Sequence, residues 1–287
     1  MSFVKRQIKL QFSGDNYYDV SLEGLRATAV VTNPGGNNAY GQLQLRVYGM
    51  TLDQMNTYSS TGTNFTAIQN QTIAVSVGEY GKPLTQIFNG TILRSYIDFS
   101  SIPEVSFIVS ASTGLYQKVK HIDDTSIPNT SNSEDIIKTL TESIGFTFIN
   151  AESPNNAHCV LQNQIITGST IDQITYLAKI SAFAFSIENN KVYIWKNGGN
   201  RDNIVIDVNA KTGMVGYPSY WDAGFVVKQE FHPDVLTGRV INLKSDIPKS
   251  NGHWNIISTT YELSSETPNG PWFTTSKLSQ GPDVPNN

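Results

Sequence analysis

His158 and Cys159 are the neighbours in this 287-residue chain whose types most directly invoke chemistry, a thiolate nucleophile beside its base. Such a dyad needs both side chains to converge within hydrogen-bond reach. Adjacent residues on an extended strand point to opposite faces, so the pair does not read as catalytic. Cys159, beside Val160 and Leu161, reads instead as a small buried hydrophobe. It is the sole cysteine, which leaves no intrachain disulfide and no cysteine-rich metal site. The four histidines, His121, His158, His232 and His253, have neither i,i+4 spacing nor a His-Glu-x-x-His pattern. His121-Ile122-Asp123-Asp124 could hold a cation in a loop, but paired aspartates read first as a solvated turn. No metal and no cofactor is expected.

Hydrolysis of a glycan needs two carboxylates held roughly 5–10 Å apart in a cleft. Glu134, Asp135 and Glu142 fall on a predicted helix as capping and surface charge. No Gly-x-Ser-x-Gly and no phosphate loop occurs. Trp254, Tyr261, Trp272 and Phe273 could stack on a sugar, yet aromatics of this kind also fill small β domains and anchor protein interfaces. Core or interface is the reading adopted, with Tyr80, Phe88, Trp254, Trp272 and Phe273 assigned to interaction.

The elements that must position these residues are mostly strands. Residues 6–12 put Ile8, Leu10 and Phe12 on one face. Residues 25–32 and 41–48 form a hairpin around Asn33-Pro34-Gly35-Gly36-Asn37-Asn38. Thr51 and Gln54 form a capping box for a short helix, whose Leu52 and Met55 would plug one end of a barrel. Ile73, Val75 and Val77 alternate with polar residues, and Gly78 and Gly81 flank a corner at Lys82-Pro83. Ile87, Phe88, Ile92 and Leu93 surround Gly90, where a glycine marks a bulge, a bend or another backbone close by. Residues 106–111 close this series.

The pattern changes near residue 119. Ile136, Ile137, Leu140 and Ile144 recur at helical spacing before Gly145. Ser169 and Asp172 cap a second helix with Ile171, Ile174, Leu177, Ala178 and Ile180 on its apolar face. Strands 183–188 and 191–196 join at Asn189-Asn190, a tight hairpin turn. Short strands with intervening turns then run from 204 to about 273, a second small barrel or sandwich. The segment 278–287 is polar and proline-rich and reads as a flexible tail.

Charged residues are 15% of the chain, against roughly a quarter in ordinary soluble domains, so the surface is largely neutral and polar. Twenty Lys and Arg against 24 Asp and Glu, with no basic cluster, argue against a nucleic-acid-binding surface. No apolar run approaches the roughly 18 residues that a membrane-spanning helix needs, and no leader sequence is read at Met1.

Val75-x-Val77-Gly78-x-Tyr80-Gly81, then Ile87-Phe88-x-Gly90-x-Ile92, then residues 105–114, resemble the first barrel of the tail-hub proteins of contractile phage tails, Mu-like baseplates included. Val47-Tyr48-Gly49-Met50-Thr51-Leu52 is similar to a segment of both hub and tube barrels. Ser169-x-x-Asp172 with Leu177-Ala178, Phe183-x-Phe185 and Val192-Tyr193-Ile194-x-Trp195 resembles a module that hubs carry and tail tubes do not. The order continues through Gly213, Pro218, Gly252-x-Trp254 and Gly270-Pro271-Trp272, with Tyr261 where the family often has histidine.

That resemblance implies a mainly β fold with an α/β module: two tail-tube-like β-barrel domains (1–118 and 201–277, the latter in part completing the former) around a helix and hairpin domain (119–200). It implies a non-enzymatic virion protein, a homotrimeric baseplate hub assembled in the host cytoplasm. Its expected partners are the tail tube or a tube initiator, the central spike and other baseplate proteins, with DNA passing through its channel without specific binding. Two barrels per chain and three chains would adapt the six-fold tube to the three-fold spike, although no internal sequence repeat is evident. The expected interface is the edge of the first barrel and the 268–273 loop. Two other classes remain open at this point, a carbohydrate- or receptor-binding tail protein and a tail-associated peptidoglycan hydrolase.

Overall fold

The computed structural model describes residues 5–14, 17–35, 40–60, 70–119 and 124–280. His121, Ile122 and Asp123, the turn residues Gly36, Asn37 and Asn38, and most of the expected tail lie outside the described residues. In chain order the elements begin β1 (Arg6–Gly14), β2 (Tyr17–Leu22), β3 (Arg26–Asn33), β4 (Gln42–Tyr48), α1 (Leu52–Tyr58), β5 (Gln71–Glu79), β6 (Thr85–Asp98), β7 (Ser106–Ser112) and α2 (Leu115–Val119). There follow β8 (Thr125–Asn132), α3 (Ser133–Ser143), β9 (Thr147–Asn150), β10 (Val160–Ile166), α4 (Thr170–Ile180), β11 (Phe183–Glu188) and β12 (Lys191–Lys196). The chain closes with β13 (Val205–Val208), β14 (Ser219–Trp221), β15 (Gly224–Glu230), β16 (Val240–Leu243), β17 (Gly252–Ser265) and β18 (Trp272–Ser279).

The chain divides into two compact units. The first comprises Met1–Thr32, Gly41–Tyr116 and Tyr261–Phe273; the second comprises Asn33–Tyr40, Gln117–Thr260 and Thr274–Asn287.

In the first unit the strands follow the order β17-β3-β4-β7-β6-β5-β1-β2. Alternation puts one row of each strand inside: Ile8, Leu10 and Phe12; Ala27, Ala29 and Val31; Leu43, Leu45 and Val47; Ile73, Val75 and Val77; Phe107, Val109 and Ala111, all buried. Along the ladder β1 lies several strands from β17. Even so, Lys5 Nζ stands 2.9 Å from the Glu266 carboxylate beyond β17, and the Arg6 guanidinium lies 5.3 Å from the centre of the Trp272 ring at the start of β18. The sheet therefore curls until its early strand meets the β17–β18 turn.

The Thr51–Gln54 capping box forms in both directions, with Gln54 N donating to Thr51 Oγ1 at 3.2 Å and Thr51 N to Gln54 Oε1 at 3.0 Å. The residues that close the core are Met55 and Tyr58, whereas Leu52 is 56% exposed. The expected Leu52–Met55 plug is thus one turn too early: the next position on the buried stripe after Met55 is Tyr58, which stacks on Phe12 at 4.6 Å between centroids.

Gly90 behaves as its position in the pattern predicts. Bulges interrupt the β5–β6 ladder between Val75 and Ser76 and the β6–β7 ladder between Ile92 and Arg94. A Cβ on Gly90 would stand 2.7 Å from the Ser112 carbonyl oxygen and 2.7 Å from the Phe88 ring. Since a neighbouring backbone cannot move aside as a side-chain tip can, Gly90→Ala should lower stability by about 1–3 kcal/mol, read as a shift of the denaturation midpoint at constant slope. An unchanged midpoint would mean that the two backbones do not pack this closely.

In the second unit, α3 and α4 cover the sheet β11-β12-β9, in which β9 runs parallel to β12 and β11 antiparallel. Ile137, Leu140, Ile171, Ile174, Leu177 and Ala178 are buried as their helical spacing predicts, while Ile136 and Ile144 are partly buried. Ile180 is 39% exposed at the last turn of α4 and so leaves the predicted apolar face. Ser169 caps α4 reciprocally with Asp172, and Asn189 (φ 51°) and Asn190 (φ 60°) make the hairpin turn. A two-stranded ribbon of β8 and β10 accompanies this module. The remaining strands run β14-β15-β18-β17-β16-β13, with β13 parallel to β16.

Candidate interaction site

Three of the five residues assigned to interaction come together at one corner of the first unit. Tyr80 follows β5, in a turn where its N–H donates to Lys5 O at 2.8 Å and Lys82 N donates to Glu79 O at 3.1 Å. Gly81 makes that turn possible with φ +80°. The Lys5 ammonium serves two neighbours at once: it pairs with Glu266 at 2.9 Å and lies 5.2 Å from the centre of the Tyr80 ring. Hydrogen bonding to Glu266 holds the Lys5 ammonium above the ordinary lysine range. Next to this pair, Arg6 covers Trp272, with Phe273 the following residue of β18.

The turn that carries Trp272 to this corner is tightly built. Ser264 N donates to Pro271 O at 2.9 Å, Ser264 Oγ donates to the same oxygen at 3.2 Å, and Gly270 N donates to Thr267 O at 3.1 Å. Gly270 packs so closely on Ser264 that a Cβ would fall 1.9 Å from Ser264 Oγ. Exposure then sorts the candidates. Tyr80 is 67% exposed, Phe273 is half-buried, and Trp272 is buried. Phe88 is also buried, at 1% exposure, inside the first unit and contributes to its core.

Trp254 belongs to a second aromatic group, in the second unit. Its indole N–H donates to Ser250 O at 2.8 Å, and its ring meets Phe225 edge-on at 4.9 Å. The Tyr220 ring lies 4.8 Å from that of Phe225. Tyr220 and Tyr217 are 65% and 68% exposed on or beside the edge strand β14. Sequence reasoning assigned neither tyrosine to interaction. The signal available was two tyrosines flanking Pro218 in a segment that Gly216 and the proline keep irregular.

The residues weighed for chemistry find other partners. His158 Nδ1 contacts the Glu134 carboxylate, whose second oxygen accepts from Cys159 N at 3.3 Å. Cys159 Sγ faces Val160 O, and the cysteine, expected as a small buried hydrophobe, is partly buried against the module core. Among the described residues no three His, Cys, Asp or Glu side chains gather as a metal site. An open depression of about 370 Å³ at the start of α3 is lined by Thr130, Ser131, Asn132, Asp135, Ile136 and Thr139. Among the described residues that line it, Asp135 is the one carboxylate. Tyr261 is wholly buried and offers no sugar platform.

A curled antiparallel sheet, a short capping helix and a helix–hairpin module define a class of structure found in phage tails and related injection machines. The 43 kDa tail protein of prophage MuSo2 from Shewanella oneidensis superimposes with a TM-score of 0.61 at 10% identity, covering 95% of this chain and 98% of that one. A tail protein from Neisseria meningitidis MC58 gives 0.61 at 8% identity, covering 94% and 96%. The E. coli c3393 protein, a type VI secretion component described as similar to the T4 tail proteins gp27 and gp5, gives 0.58 at 11% identity, covering 96% and 79%. These likenesses establish the fold. No curated protein matches the sequence itself.

The sequence pattern of the family Baseplate hub gp41 matches residues 22–276, and the chain belongs to that family. It is a structural component of a phage tail baseplate.

Proposed function

We propose that this protein is the central hub of its baseplate, three copies closed into a ring that joins the six-fold tail tube to the three-fold central spike. The observation that carries the proposal is the curled sheet of the first unit, drawn round until β1 meets the β17–β18 turn at Lys5 and Glu266. Such a sheet is a barrel-like scaffold. The β13–β18 strands continue the same 13-stranded sheet through β17 into the second unit; taken as a second scaffold, they would let three chains offer six to a tube. The three-part division at about residues 118 and 200, and completion of the first barrel by strands from the last part, belong to this proposal.

Head-to-tail closure would bury strand edges that otherwise invite uncontrolled pairing. Tyr80, with Trp272 and Phe273 beside it, is the proposed contact with the neighbouring chain. Phe88 supports that edge from inside and Trp254 supports the β13–β18 strands. A tube or tube-initiator protein on one side, the spike on the other, and further baseplate proteins around the ring complete the partners. DNA passes through the mildly acidic channel without specific binding, after assembly in the host cytoplasm. Imaging the intact particle with an antibody fragment bound to this chain tests the reading. Density at the tip between tube and spike, three fragments per particle, is the expected result; density at the tail's outer fibres or along the tube would refute it.

A further inference from the structure

Among its described residues the second unit holds two hydrophobic clusters with no residue in common. One lies between α3, α4 and the β11–β12 hairpin and includes Ile174, Leu177 and Phe185. The other includes Val208, Phe225 and Ile256, within the β13–β18 region. The chain passes from one to the other through residues 197–204, and two ion pairs, Arg201–Glu188 and Arg239–Asp202, stand in the joint beside the Trp195 and Tyr193 rings.

Arg201 sits at its centre with a side chain 2% exposed. One terminal nitrogen, Nη1, donates to both oxygens of Glu188 at 3.0 and 2.9 Å, and to Thr237 O at 3.1 Å. The guanidinium also lies 3.7 Å from the centre of the Tyr193 ring, while its Nε has no hydrogen-bond partner. Burial works against the Arg201 charge, but Glu188 more than offsets it and keeps the group firmly protonated. Arg239 provides a second ionic tie, with Nε donating to Asp202 at 2.8 Å and Nη1 to Asp234 Oδ1 at 3.0 Å. Asn255 Nδ2 reaches Gly198 O at 3.2 Å, and Gly238 packs directly on the Trp195 ring.

Such a joint differs from an apolar one. A buried ion pair attracts strongly in one geometry, and separating it leaves two poorly solvated charges, so the contact is either made or broken. Polar interfaces between compact bodies in one chain ordinarily permit relative movement. We propose that the α/β module turns as one body about residues 197–204, with the Arg201–Glu188 contact as the catch that holds the orientation observed. This inference does not depend on the trimer.

Spin labels placed through K138C on α3 and K211C after β13, in a Cys159→Ser background, report the distance across the joint in the full chain. The parent should give one narrow distance distribution. Glu188→Gln should raise the ratio of displaced to latched molecules by roughly a hundredfold, giving a second resolved population. Hydrogen exchange of the α4 and β17 amides should stay at parent levels in that variant, with acceleration confined to residues 197–204 and 233–239. A single unchanged distance in Glu188→Gln would overturn the catch, because other contacts would then fix the module. Loss of protection in α4 or β17 would overturn it as well, because the pair would then be a strut of the cores.

Discussion

Phe12→Ala should lower the stability of the first unit by about 3–5 kcal/mol, the cost of an emptied aromatic site in a closely packed core. Phe12 is fully buried, stacks on Tyr58 at 4.6 Å and meets Phe107 edge-on at 6.4 Å. It therefore links β1, the capping helix and β7. Chemical denaturation followed by fluorescence and by circular dichroism would show the loss. A change below about 1 kcal/mol would mean that α1 does not close this core as described.

Tyr80→Ala should leave the isolated chain as stable as before and weaken association between chains by roughly thirtyfold or more, the effect of removing an aromatic anchor worth about 2 kcal/mol. Tyr80 is 67% exposed, and the Lys5–Glu266 pair beside it survives the truncation. Sedimentation over a concentration series separates the two effects. Unaltered association would remove Tyr80 from the interface, and a lowered melting temperature would show that it belongs to the fold of the single chain.

Local features were the most legible in the sequence. The alternation of Ile8, Leu10 and Phe12 reflects one buried face, and the boxes at Thr51–Gln54 and Ser169–Asp172 reflect backbone donors that only a nearby side chain can satisfy. Asn189-Asn190 was legible because few residues accept a positive φ. Strand β8 was not, since Thr125–Asn132 is polar and carries a proline, without the alternation that marks a half-buried strand. Leu52 misled because its spacing to Met55 fits a stripe that Met55 and Tyr58 actually form.

Sheet order was illegible for a different reason. Period two fixes which face a strand buries and says nothing of its neighbour, so no local signal pairs β17 with β3 or brings Glu266 to Lys5. The candidate corner was therefore visible only as separate pieces, Tyr80 in one turn and Trp272 and Phe273 in another. Family resemblance supplied the order of those pieces; the curl of the sheet supplied their meeting.

The mass of the purified 287-residue chain in solution, measured by light scattering alone and again with its spike protein, tests the central claim most directly. The account predicts three chains of 31.6 kDa in one particle, ring-shaped in electron micrographs. A monomer under both conditions, at concentrations well above those in an infected cell, would contradict it.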